Sequence, residues 1–301
     1  MDILRARGRP ARERATAQPP DFAAQLPDSA TVLARAGGEN FPVAARVLPH
    51  ASRRHLMALY GYFRLVDYAG DEAPGNREVL LDHLEADLGH AYRGTPRLPL
   101  VRALVPTIHE CGLPRELLVR LIDANRRDQH VHRYRTFGEL LDYCALSANP
   151  VGECVLRVFG QARPELIALS DRVCTALQIL EHCQDVLEDH RQGRVYLPET
   201  DLRHYGCHLA ELESGSAPAH WRALLRFQVV RALRLLDSGA HLVGRLPGTA
   251  RLAVAGYVAG GRATAHAFVT AGFDPVRHEV SPDRARIAAG WARLLVSGGA
   301  W

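Results

Sequence analysis

Beyond residue 30, apolar residues return every three to four positions almost without interruption, β-branched alternation is rare, and Ala, Leu, Arg and Glu dominate. That spacing gathers apolar side chains onto one stripe of a helix but scatters them over both faces of a strand, so it predicts an all-α chain. Gly and Pro clusters punctuate the pattern at Ala73-Pro74-Gly75-Asn76, Arg93-Gly94-Thr95-Pro96, Gly112-Leu113-Pro114, Gln192-Gly193, Glu213-Ser214-Gly215-Ser216-Ala217-Pro218 and Leu246-Pro247-Gly248. They predict helices over roughly 52–72, 77–92, 98–111, 114–130, 137–160, 164–191, 219–245, 248–272 and 282–297. No break is long enough to divide these into separate domains, and no segment repeats. The expectation is one helical domain over 31–301, preceded by an Arg/Pro-rich flexible tail over 1–30.

The chain has 301 residues, 47% of them hydrophobic and 23% charged, enough for a sizeable core in an ordinary globular protein. All 37 basic residues are Arg, so Schiff-base and P-loop lysine chemistry are excluded, and any anion site must use guanidinium groups, backbone N–H or a metal. A net charge of +4, with Arg interleaved among acids, gives no basic stripe of the kind that binds nucleic acid. The six cysteines contain no C-x-x-C, and several fall inside apolar helical patterns, pointing to a reduced, cytoplasmic setting. The first thirty residues lack an apolar signal region, and no window of about 18 uncharged apolar residues follows. None of the fifteen histidines forms H-E-x-x-H or another strong zinc pattern, so they read as scattered core and surface residues. No G-x-G-x-x-G follows a strand, so no Rossmann site for NADPH is evident.

Two polar stripes stand out where apolar ones belong. Tyr60, Arg64, Asp67 and Asp71 step by four, three and four along one predicted helix. More than a hundred residues later Gln178, Glu181, Asp185 and Asp189 step by three, four and four along another. With 17 Asp, chance placement gives about one D-x-x-x-D and the chain has two, so spacing alone decides nothing. Context does: the second pair lies in a long helical pattern with apolar other faces, followed at once by Arg194 and Tyr196. Carboxylates one turn apart suit hard divalent ions, and Mg²⁺ characteristically takes one or two carboxylates together with phosphate oxygens. Two facing pairs therefore suit Mg²⁺ holding a substrate diphosphate, with arginines on the outer oxygens. Departure of that diphosphate would leave a carbocation in the apolar interior of the bundle.

Several blocks, in order, resemble the squalene/phytoene synthase family: Phe63-Arg64-Leu65-Val66-Asp67 through Asp71-Glu72, Arg133-Tyr134-Arg135-Thr136-Phe137 with Tyr143-Cys144, and Leu177-Gln178 through Gln184-Asp185-Val186-Leu187-Glu188-Asp189, closing on Gly193-Arg194-Val195-Tyr196-Leu197-Pro198. The resemblance spans about residues 38–275. Within the family, Glu39-Asn40-Phe41-Pro42-Val43-Ala44 and Leu146-Ser147-Ala148-Asn149-Pro150-Val151-Gly152 most resemble the hydroxysqualene synthases of bacterial hopanoid biosynthesis. The resemblance implies an isoprenoid-synthase helical bundle with a central cavity and Mg²⁺ as cofactor. It implies that Asp67, Asp71, Asp185 and Asp189 hold Mg²⁺, that Arg64 and Arg194 bind diphosphate, and that Tyr60, Tyr143 and Tyr196 line the site. Gln178, Asp128 and Tyr257 are its further substrate-facing positions.

The implied reaction converts presqualene diphosphate to hydroxysqualene by ionisation and water capture. The implied pathway neighbours are a presqualene diphosphate synthase and a hydroxysqualene dehydroxylase. Such water-insoluble C30 chains imply peripheral association with the inner face of the membrane. The alternatives are head-to-head condensation of two farnesyl diphosphates to presqualene diphosphate or squalene, and a non-catalytic assembly role; retention of all four aspartates opposes the latter. The chain departs from the family at Tyr68, where many members have Asp, and at Glu181, where many have Asn. Glu39-Asn40-Phe41-Pro42 replaces a Ser/Lys-rich segment of the condensing enzymes, which favours an enzyme that handles one diphosphate. Pro150 cannot donate to the carbonyl of Leu146, so a kink is expected there, with Ser147 and Asn149 either hydrogen-bonded within the protein or holding the nucleophilic water.

Overall fold

The computed structural model describes residues 22–37 and 47–298, and their regular structure is helical apart from an isolated β-bridge between Arg133 and Val195. Thirteen α-helices are present among the described residues: α1 Ser29–Ala34, α2 His50–Asp71, α3 Arg77–Ala91, α4 Pro99–Glu110, α5 Arg115–Asp128, α6 Phe137–Ser147, α7 Asn149–Val158, α8 Pro164–Gln184, α9 Val186–Arg191, α10 Glu199–Tyr205, α11 Ala219–Arg245, α12 Gly248–Thr270 and α13 Arg284–Ser297.

The boundaries follow local chemistry. Asn76 caps α3 by accepting from the Val79 N–H, and Thr136 caps α6 by accepting from Glu139. Pro99 and Pro164 sit in the first turns of α4 and α8, where their missing N–H costs nothing. The helix expected over 137–160 is two helices, because Pro150 starts α7 and the chain breaks at Ala148. The helix expected over 164–191 is also two, divided at Asp185.

Residues 22–30, the last part of the expected tail, are described and structured. Phe22–Gln25 forms a turn of 3-10 helix, Phe22 stacks on His83 with ring centroids 4.8 Å apart, and Asp28 caps α1 by accepting from Ala30 and Thr31. Residues 22–30 therefore pack on the body; residues 1–21, and the 39–44 segment singled out above, lie outside the described residues.

Two apolar cores flank the molecule's interior. Leu59, Tyr62, Leu65, Val66 and Ala69 of α2 pack with α3, α4 and α5. On the other side α8 runs along α11 and α12, through Ile179, Leu180, Trp221, Leu225 and Val229 in one cluster and Val173, Ala176, Leu236 and Val258 in a neighbouring one. Gly239 of α11 permits that approach, since a Cβ there would stand 2.8 Å from the Leu169 carbonyl of α8.

Gly70 does the same inside α2, where an added methyl would overlap the Asn125 side chain of α5. Gly70→Ala is expected to destabilise the protein by about 1–3 kcal/mol in urea unfolding. Truncating Asn125 to Ala in the same chain should recover much of that loss.

Candidate active site

The cavity between the two cores has a volume of about 1040 Å³. Both polar stripes face it: Tyr60, Arg64, Asp67 and Asp71 from α2, and Gln178, Glu181, Asp185 and Asp189 from α8, its break and α9. Asp128, Tyr143, Ser147, Arg194, Tyr196 and Tyr257 also line it, so every expected site residue except Asn149 reaches this one space.

Asn149 is the exception. Its Oδ1 accepts a hydrogen bond from the Thr175 hydroxyl at 3.0 Å, which ties α7 to α8, and its side chain does not line the cavity. Ser147 does line it, while its hydroxyl donates back to the Tyr143 carbonyl at 3.2 Å. The broken helix thus satisfies its own polar groups. Asn149→Leu is expected to cost about 1–3 kcal/mol in thermal or urea unfolding, because it leaves the buried Thr175 hydroxyl unpaired.

The strand-like segment after α9 carries Arg194 and Tyr196 into the site. It is pinned by the Val195 N–H donating to the His132 carbonyl at 2.8 Å and by Glu199 and Thr200 donating to Tyr134 and Arg135. Arg194, only 10% exposed, forms an ion pair with Asp71 at 2.6 Å, closing the end of α2 against this segment. Arg64 stands 3.8 Å from Asp67, and its buried Nε makes no hydrogen bond.

Behind these charges lies a layer of aromatic rings. Tyr134 stacks on Tyr196, Tyr196 on His182, and Tyr143 tilts against both Tyr134 and Tyr196. Tyr143 donates to Oδ2 of the buried Asp128 at 2.6 Å, while Asp128 Oδ1 makes no hydrogen bond. Burial pushes the Asp128 carboxyl up to about 7; Tyr143 and Arg194 oppose the shift and Asp71 adds to it. Burial likewise raises the Tyr143 phenol well above its ordinary range.

The carboxylates fit a divalent cation. Burial, then the charges of Asp189 and Glu188, raises Asp185 to about 6, and His182 opposes the shift. Among the described residues no three His, Cys, Asp or Glu side chains converge on one point. Mg²⁺ characteristically takes one or two carboxylates together with water and phosphate oxygens, so a carboxylate pair on either wall would suit it. The unpaired Arg64 Nε and the buried Arg194 supply matching donors for an anion beside those carboxylates.

A family model described as squalene/phytoene synthase matches residues 34–290. The chain belongs to the squalene/phytoene synthase family. Among curated relatives, a hydroxysqualene synthase of Sinorhizobium fredii is 33% identical over 212 residues, 69% of this chain and 71% of that protein. A phytoene synthase of Arthrospira platensis is 33% identical over 209 residues, 64% of this chain and 68% of that protein. Among solved structures, squalene synthase HpnC from Alicyclobacillus acidocaldarius superposes with a TM-score of 0.74 at 38% identity, covering 84% of this chain and 99% of that one. The helical architecture is thus that of the family, and the family's members are isoprenoid synthases acting on prenyl diphosphates.

Two residues beside the expected set are placed by the fold. Tyr68, which stands where many squalene/phytoene synthases have Asp, turns from the main cavity and packs against the core of α2–α5 beside α1. His182 lies in the cavity wall; its signal was its place four residues after Gln178 and three before Asp185, on the polar stripe itself.

Proposed function

We propose that the protein is a Mg²⁺-dependent hydroxysqualene synthase that ionises presqualene diphosphate and captures the carbocation with water. The observation that carries this reading is the polarity of the cavity. At one end are two carboxylate pairs with Arg64 and Arg194, and towards the other the wall is apolar, formed by Leu56, Val155, Leu156, Val173, Leu242 and Val254.

Mg²⁺, when bound, supplies positive charge that neutralises the diphosphate oxygens and makes diphosphate a better leaving group. Asp67 and Asp71 on one wall and Asp185 and Asp189 on the other would hold it. Arg64 and Arg194 offer donors to the outer phosphate oxygens, and the ion pair of Arg194 with Asp71 holds its guanidinium in place before substrate arrives. The hydrocarbon chains lie in the apolar part, where bulk water is excluded and a carbocation survives long enough to react selectively. Tyr60, Tyr143 and Tyr196 line the boundary between the two regions and present rings that stabilise a nearby cation.

Head-to-head condensation of two farnesyl diphosphates is the second reading, favoured by the equal identity of the phytoene synthase relative. The purified protein with Mg²⁺ should be given presqualene diphosphate and, separately, farnesyl diphosphate, each with and without NADPH. Hydroxysqualene from the first without NADPH is expected; turnover of farnesyl diphosphate alone would support condensation instead. A presqualene diphosphate synthase would then supply the substrate and a hydroxysqualene dehydroxylase consume the product. No helix among the described residues is long and apolar enough to cross a membrane, and the C30 chains favour peripheral membrane association. Co-sedimentation with anionic vesicles is expected, and complete recovery in the supernatant would contradict it.

A further inference from the structure

Three segments of chain meet on the ring of His182. The residue sits near the end of α8, buried to 7% side-chain exposure. Its imidazole lies flat on Tyr196, with centroids 3.9 Å apart and planes 11° from parallel, and tilts against Tyr143 at 6.1 Å. Nδ1 stands 3.9 Å from Oδ2 of Asp189 on α9, and Nε2 stands 3.4 Å from Nε2 of Gln178 one turn back on α8.

Residues seven apart in an unbroken helix are separated by about 10.5 Å along its axis. The break at Asp185 is what brings Asp189 back to His182, and the segment after α9 then returns to lay Tyr196 on the ring. An apolar side chain would pack against Tyr196 equally well. A histidine adds a nitrogen to each edge: one can accept from the Gln178 amide while the other carries its N–H toward the Asp189 carboxylate. Nδ1 stands just beyond hydrogen-bond distance of the carboxylate, near enough for that bond to close with a small turn of either side chain, and loss of such a bond to a metal-binding group typically costs about 10–100-fold in metal affinity.

We propose that His182 is a positioning residue: its Nδ1 edge orients the Asp189 carboxylate toward the cavity while its face holds Tyr196 in the cavity wall. Cation binding and the shape of the wall are thereby coupled through one ring. The proposal rests on the reading of Asp185 and Asp189 as a divalent-cation pair.

The test is calorimetric titration of Mg²⁺ into the full-length protein with saturating inorganic diphosphate, alongside thermal unfolding. His182→Phe keeps a flat ring against Tyr196 but has no N–H, and should weaken Mg²⁺ binding about 10–100-fold with the fold retained. His182→Leu carries the same expectation if Phe does not fit. His182→Asn, whose amide reproduces the Nδ1 position, should bind within a few-fold of the wild type. Wild-type affinity in His182→Phe or His182→Leu would overturn the proposal alone, as would a folded His182→Asn as weak as His182→Phe. No Mg²⁺ binding by the wild-type protein with diphosphate would overturn the cation reading and the proposal with it.

Discussion

Replacing Asp67 or Asp185 with asparagine is expected to lower kcat/KM for the prenyl diphosphate substrate by about 1,000-fold, with little change in stability. Asparagine has nearly the shape of aspartate, and Asp67 is about half exposed, so packing is preserved. What is lost is the formal charge of one carboxylate in a pair. If each pair helps hold a cation worth several kcal/mol to the departing diphosphate, a loss of about 4 kcal/mol corresponds to about three orders of magnitude in rate. Steady-state kinetics over a series of Mg²⁺ concentrations checks this, because a ligand variant should also need more Mg²⁺ for half-maximal activity. A variant with wild-type kcat/KM at limiting Mg²⁺ would remove that residue from the cation site.

Arg194→Gln should combine a catalytic defect with a structural one. The guanidinium is almost wholly buried and pairs with Asp71 at 2.6 Å, so its removal leaves a carboxylate without its partner. A fully buried pair broken from one side costs about 3–5 kcal/mol. Asp71 remains 38% exposed, and solvent screening reduces the expected loss to about 1–3 kcal/mol in urea unfolding. Loss of a charge-assisted donor to diphosphate should lower kcat/KM by about 100-fold or more. Arg194→Lys retains the charge but not the two-pronged donor geometry, and should fall between the two. Equal activity of the Gln and Lys variants would show that charge at this position does not matter.

The parts legible in the sequence were those written in helical periodicity. Asp67 and Asp71 repeat at one-turn spacing inside α2, and the apolar Leu59, Leu65 and Val66 on the opposite side fix which face looks inward. The break at Asp185 was not legible, since no Gly or Pro interrupts 164–191. It reflects tertiary structure: α9 is held against the Leu209–Ser214 turn, where Arg191 pairs with Glu213 at 2.9 Å. Pro150 was read correctly as a helix breaker, but the fate of its neighbours depended on Thr175, which lies 26 residues from Asn149 and has no sequence signature linking the two. The short α10 was too brief for periodicity, although Pro198 before it and Gly206 at φ +67° after it mark both ends. His182 is one histidine among fifteen in the sequence, and only the fold reveals that α9 returns to it.

In the proposed reaction diphosphate departs from presqualene diphosphate in this cavity and water, not hydride or a second prenyl chain, takes its place. Mass spectrometry of the product formed from presqualene diphosphate and Mg²⁺ in ¹⁸O-labelled water, with no NADPH present, tests it most directly. Hydroxysqualene whose hydroxyl carries ¹⁸O is expected. Hydroxysqualene containing only unlabelled oxygen, or a hydrocarbon with no hydroxyl, would contradict it.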